Sequence, residues 1–255
     1  MRTVSKYVFL DLLKNRSILV YTAVLAVLSF TLLGLDGGSA KGLLSLLNIT
    51  LLFVPVITTL FSAIYFFNSL EFIELLLSQP VKRTRILLSE YGGMALSLSA
   101  AFVVGVGFPL TVMLPVTASF VLIITGVLLT FIFTSLGLLI FVLSRDKTRG
   151  IGAAIIVSLF FTLLFDGLMM AFIFTFSDYP IDRAVVAMVG LNPVDLARIL
   201  MLLQLDVAVL MGYSGALFKE FLGSSTGSLY AVGCLGLWTV VPLWLALRIF
   251  RRKDL

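Results

Sequence analysis

Of 255 residues, 60% are apolar and only 12% charged, and the mean hydropathy is +1.17. A soluble domain carries about 25% charged residues, so this composition excludes a soluble fold and leaves no polar stretch for a second domain. The formal charge of +5 gathers at the ends of apolar runs; it is a signature of membrane orientation and not of nucleic-acid binding.

Taken in order, residues 1–16 place Val4, Tyr7, Val8 and Leu12 at helical spacing among Arg2, Lys6, Lys14 and Arg16. This pattern predicts an amphipathic helix lying at the membrane surface, in contact with lipid. A cleaved leader with a site near Gly38-Ser39-Ala40 is the competing reading. The long charged lead and an apolar run long enough to span favour a retained first span.

A helix needs about 20 apolar residues to cross a bilayer, and six segments qualify: 18–35, 43–67, 91–114, 120–143, 151–176 and 229–247. The predicted fold is therefore an all-α membrane protein, a single domain over 1–255 with six transmembrane helices. The second span is unusually polar, with Asn48, Thr50, Pro55, Thr58 and Thr59. A kinked helix lining a path and a helix packed through interhelical hydrogen bonds both fit that pattern.

Between the second and third spans, residues 71–90 read EFIELLLSQPVKRTRILLSE. Glu71 and Glu74, then Leu75, Leu76 and Leu77, form a short amphipathic helix. Pro80 breaks it, and Lys82, Arg83 and Arg85 open the next helix. Short connections are expected at 115–119 and 144–150. Asp166 is the one ionisable residue deep in a predicted span. Such a residue faces a bundle interior or a wet cavity, and either a translocation path or a structural partner such as Asn48, Thr58 or Thr59 would explain it.

The long connection 177–228 holds a further apolar stretch, 194–211, opened by Asn192 and Pro193, a good cap with proline at the first helical position. It carries Asp195, Arg198, Gln204 and Asp206, and each charge costs about 2.5–3.5 kcal/mol at a helix centre. The expectation is a helix lying at, or dipping into, the outer face, followed by a Gly/Ser-rich loop over 212–227. With six spans, fourteen Lys and Arg fall on the side of the termini and four on the other. By the positive-inside rule both termini are cytoplasmic.

Several chemistries lack their residues. There is no histidine, so no H-E-x-x-H zinc site and no Ser–His pair, and no G-x-x-x-x-G-K-[ST] phosphate loop. A lone cysteine, Cys234, forms no intrachain disulfide. Met94, Met113, Met169 and Met170 are not spaced as copper ligands and read as packing residues. No catalytic, cofactor or metal residue is expected, which points to a transport subunit, not an enzyme.

The 71–90 stretch resembles the cytoplasmic signature of type-2 exporter permeases of the ABC transporters. The matching residues are Glu71, Glu74, Leu76-Leu77, Pro80-Val81, Arg83 and Ile86-Leu87. The amphipathic start, six spans and large fifth connection resemble that family along the whole chain. Two departures are Phe72-Ile73 with Leu75, where the family has Gly-Thr, and the absence of a lysine near Glu90.

Within the family, LSRDKTRG, LLFD, LNPVDLARIL and IFRRK resemble the NosY-type permeases of nitrous-oxide-reductase maturation, a system tied to a copper–sulfur site. The resemblance implies a bacterial inner-membrane homodimer with two copies of a cytoplasmic ATPase that bind the ATP and magnesium. Residues 71–83 would then be the coupling element. It also implies a periplasmic partner protein, for which Asn192, Pro193, Asp195 and Arg198 are candidate contacts. The residues alone leave open an ABC exporter for a drug, lipid or polysaccharide, and an ATP-independent channel or scaffold. Co-purification of an ATPase separates the last from the rest.

Overall fold

The computed structural model describes residues 2–35, 40–78, 82–113, 116–176, 179, 182–204 and 225–252. They form α1 (Arg2–Leu13), α2 (Arg16–Leu35), α3 (Ala40–Asn68), α4 (Leu70–Leu77), α5 (Arg83–Phe102), a π-helical turn (Val103–Gly107) and α6 (Phe108–Met113). Then follow α7 (Val116–Leu143), α8 (Lys147–Leu159), a second π turn (Phe160–Leu164), α9 (Phe165–Thr175), α10 (Asp182–Gly190), α11 (Pro193–Gln204) and α12 (Ser225–Phe250).

Six helices, counting α5–α6 and α8–α9 as one each, are long and apolar enough to cross a membrane. They match the six expected runs. Two connections are shorter than predicted. Helix α7 begins at Val116, inside the expected 115–119 turn. Helix α8 begins at Lys147 because Asp146 caps it, its carboxylate accepting from the Arg149 N–H at 2.8 Å. The expected loop over 212–227 lies almost wholly outside the described residues, and α12 is already helical at Ser225.

Helix α7 is the hub. Its span is 72% buried, against 28% for α2, 17% for α8–α9 and 22% for α12. It packs against α3, α5, α11 and α12. Apolar attraction alone cannot pull helices together in lipid, so close approach depends on small residues. Gly137 faces Ser62 and Thr59 of α3, where an added Cβ would lie 2.7 Å from Ser62 Cβ and 3.1 Å from the Thr59 carbonyl oxygen. Gly126 lies against the Phe102 ring.

The hydroxyls in these faces turn back onto their own helices, four residues behind: Thr59 Oγ1 donates to the Pro55 carbonyl at 2.7 Å, Ser62 Oγ to Thr58 at 2.6 Å and Thr134 Oγ1 to Thr130 at 2.7 Å. Each polar group is thus satisfied without water.

Helix α1 packs on α5. Val8 and Leu12 are buried, Gly93 admits the Val8 side chain, and Ser97 Oγ reaches the Phe9 carbonyl at 3.3 Å. This crossing lies ten residues into α5, about 15 Å from its start at 1.5 Å per residue. Helix α3 has 29 residues, about 43 Å of helix against a hydrocarbon core of about 30 Å. Helix α3 is thus longer than such a core is thick.

Gly137→Val should lower the thermal midpoint of the purified protein by several degrees, since forcing bulk into a packed crossing costs about 1–3 kcal/mol. Gly152 has nothing within 4 Å of an added Cβ. Gly152→Ala should leave the midpoint unchanged or raise it slightly, as alanine favours helix by about 1 kcal/mol over glycine.

Candidate functional site

Polar side chains gather at two places, one on each side of the bundle. On the side away from the termini, α10 and α11 form a hairpin bent by 108°. Asn192 caps α11, its Oδ1 accepting from the Val194 N–H at 3.0 Å, and Pro193 takes the first helical position. Val194, Leu196, Ala197, Ile199, Leu200, Met201 and Leu202 are all buried. Helix α11 is thus packed into the bundle along most of its length.

Charge holds the hairpin there. Arg198 Nη1 donates to Asp166 Oδ2 at 2.9 Å and to Asp195 Oδ1 at 3.1 Å. Asn192 Nδ2 donates to Asp195 Oδ2 at 2.8 Å and to the Phe161 carbonyl at 3.0 Å. Phe161 lies in the π turn 160–164, where the regular backbone ladder is interrupted and a carbonyl can turn outward. Trp238 of α12 adds a third strut, its Nε1 donating to the Gly190 carbonyl at 3.1 Å while its ring meets Phe161 edge-on at 5.2 Å.

One guanidinium thus serves two carboxylates. Asp195 is 5% exposed at its side chain, Arg198 27% and Asp166 34%. Among the described residues no cluster of metal-binding side chains is found. The arrangement is suited to positioning and to presenting charge.

The structure corrects the sequence-based partner of Asp166. Thr58 and Thr59 are buried and bonded to their own helix, and Asn48 is exposed elsewhere on α3. Asp166 pairs instead with Arg198 and adjoins Asp195 and Asn192, four residues that the sequence reading had assigned to two separate roles.

On the side of the termini, only Ser69 separates α4 from α3. Ile73 is fully buried and seats α4 on the bundle. Leu76 and Leu77 are half-buried against the core, while Leu75 is 60% exposed and Phe72 47%. Glu71 and Glu74 are exposed beside them and, among the described residues, form no ion pair. The outward apolar pair is thus Phe72 and Leu75, and Phe72 was not among the expected contact residues. Its i, i+3 spacing to Leu75 was the available signal. Pro80 lies outside the described residues, and Arg83 opens α5.

The corner after α3 is also fastened to α8. Lys147 Nζ donates to Asn68 Oδ1 at 2.7 Å, and Gly150 lies against the Phe67 ring.

Residues 48–255 match the ABC-2 family transporter protein profile. The chain belongs to the ABC-2 transporter family. It is thus a multi-pass membrane permease of the ABC superfamily, and membership implies a cognate ABC ATPase. The chain is also similar to the probable ABC transporter permease protein NosY of Pseudomonas aeruginosa. The two are 26% identical over 275 residues, covering 99% of this chain and 98% of the relative.

A double-mutant cycle on Asp166→Asn and Arg198→Gln should return a coupling of about 1–3 kcal/mol, as for residues in one charged network. Thermal melting in detergent measures it. Additive effects would mean that the two side chains do not act as a pair. Arg198→Met should cost more than Asp166→Asn, because it leaves two carboxylates without their shared cation.

Proposed function

We propose that this ABC-2 permease works as a pair of identical chains, with an ATPase docked on each α4 and an extramembrane partner engaged at the α10–α11 hairpin. The observation that carries the reading is the two-faced character of α4, with Ile73 inward and Glu71, Phe72, Glu74 and Leu75 outward. An apolar anchor ringed by charge is the usual centre of a tight interface. No phosphate loop is present in this chain, so ATP-derived work enters by contact.

A push on α4 moves α3 through Ser69 and reaches α8 through the Lys147–Asn68 bond. The fifth span, α8–α9, carries Asp166 at its far part, where Arg198 joins it to the hairpin. In this reading α4 and the hairpin are the two ends of one mechanical line. The low burial of α2, α8–α9 and α12 leaves faces open to a second copy, and in this reading the first and fifth spans form the seam. The cytoplasm is assigned to the α4 side by the fourteen-to-four split of Lys and Arg.

Similarity to the Pseudomonas aeruginosa permease over nearly its whole length, with the words LSRDKTRG and LNPVDLARIL, supports a role in maturing the copper–sulfur site of nitrous oxide reductase. With no histidine and one cysteine, this chain is better suited to passing a sulfur species or a mechanical signal than to chelating copper.

Glu74→Lys combined with Leu75→Asp should leave the permease folded in the membrane and strip the ATPase from it. Co-purification and hydrolysis rate are the measurements, and a complex that keeps both places the coupling element elsewhere. In a Cys234→Ala background, Leu191→Cys should react with an impermeant thiol reagent added to intact cells, and Arg251→Cys should not. The reverse pattern, or labelling of both, would refute the orientation.

A further inference from the structure

Two acids and one cation meet where α9 joins the α10–α11 hairpin. Asp166 Oδ2 and Asp195 Oδ1 accept from the same nitrogen, Arg198 Nη1, at 2.9 and 3.1 Å. The two carboxyl groups also lie within hydrogen-bonding reach of each other. Asp195 is 5% exposed at its side chain, so water screens the pair poorly. Two carboxylates so placed resist being ionised together, because each raises the cost of charge on the other. One guanidinium balances only one of them.

A proton on Asp195 resolves the imbalance. It turns a contact between two acceptors into an O–H donated to Asp166, while the Asp195 oxygens still accept from Arg198 and Asn192. Helix α7 and the π turn 160–164, both packed on α11, contain no ionisable residue. Helix α3 brings Lys41 and Tyr65, and α12 brings Tyr230, Cys234 and Arg248. None of these acts on Asp195, which feels Asp166 and Arg198. The side chains of Asp182 and Arg183, at the start of α10, lie outside the described residues. Burial first, and then the Asp166 carboxyl, push the Asp195 carboxyl from its ordinary 3.8 up to about 7, with Arg198 and Asn192 opposing them.

This contact ties a loosely held helix to a firmly held one. Among the described residues the main helix partner of α9 is α10, and Leu168, Met170 and Phe174 of α9 are exposed. Helix α11 is instead buried among α7, α12 and α3.

We propose that the Asp166–Asp195 pair binds a single proton that latches α9 to the hairpin, and that loss of the proton loosens the latch. The joined pair holds this proton more tightly than the separated residues do. The latch is therefore strongest below about pH 4, weakens as pH rises to about 7, and is insensitive to pH above that. The inference concerns how the hairpin is held, and it stands whether or not a partner protein or an ATPase binds the permease.

The test uses the full-length permease in nanodiscs, carrying Trp244→Phe so that Trp238 is its one tryptophan. Trp238 bonds the hairpin at Gly190 and meets Phe161 of the fifth span. Quenching of its fluorescence by acrylamide, a neutral molecule, reports how closely the two are held. Quenching should rise with pH in one single-proton step centred between about pH 4 and 7. Asp195→Asn keeps a donor toward Asp166 and should hold quenching at its low-pH level throughout. Asp166→Asn removes the like charge and leaves the cation, so it should move the step lower by about one pH unit. That second variant decides the matter even where Asp195→Asn fails to fold. The absence of a step, a step that persists in folded Asp195→Asn, or a step that Asp166→Asn leaves in place would each overturn the proposal.

Discussion

Lipid offers no hydrogen-bond partner, and that constraint organises this molecule. Backbone groups left unpaired in hydrocarbon cost several kcal/mol each, so the spans are helical. Several side chains on α3 and α7 follow the same rule. Thr59, Ser62 and Thr134 return their hydroxyls to carbonyls four residues behind. Polar residues can then sit where two helices meet and narrow the gap between them. Gly126 and Gly137 narrow it further, and α7 becomes the helix that most of the others touch. The charged residues around the hairpin enter this frame as partners of one another. Asp166 has Arg198, and Arg198 brings Asp195.

The π turn at 160–164 shows how such a partner is admitted. In a regular helix each interior carbonyl already accepts a backbone N–H and points along the axis. By interrupting the ladder, the span offers the Phe161 oxygen to Asn192, and Asn192 at once caps α11 and holds Asp195. Backbone irregularity in one helix is thereby exchanged for the placement of another. The hairpin, the fifth span and α12, through Trp238, form one unit in which a few directional bonds add to the buried apolar face of α11.

Much of this architecture was legible in the sequence because span length and charge placement act locally. Six apolar runs became six long helices, and Asn192-Pro193 announced a helix start that the structure contains. What depended on rotational phase was not legible. Leu76 and Leu77 look like the outward plug of α4 until Ile73 fixes which face is inward, and the outward residues are then Phe72 and Leu75. The partner of Asp166 was also hidden. It lies 32 residues away, on a segment whose charges argued against insertion when each was costed alone. As an associated group they are far cheaper to insert. The Asp146 cap could have been read from Asp-Lys-Thr-Arg, and the basic residues around it drew attention to orientation instead.

The overhang of α3 has a physical corollary of its own. A helix about 43 Å long in a core of about 30 Å must tilt, thicken its surroundings or project. Projection would set the Asn68 corner and its bond to Lys147 in water, and bilayer thickness would then bear on that bond. Longer acyl chains would draw the corner toward hydrocarbon and shorter ones would push it further out. Membrane composition therefore acts on this molecule as a setting of mechanical preload, distinct from any ligand and felt by every span at once.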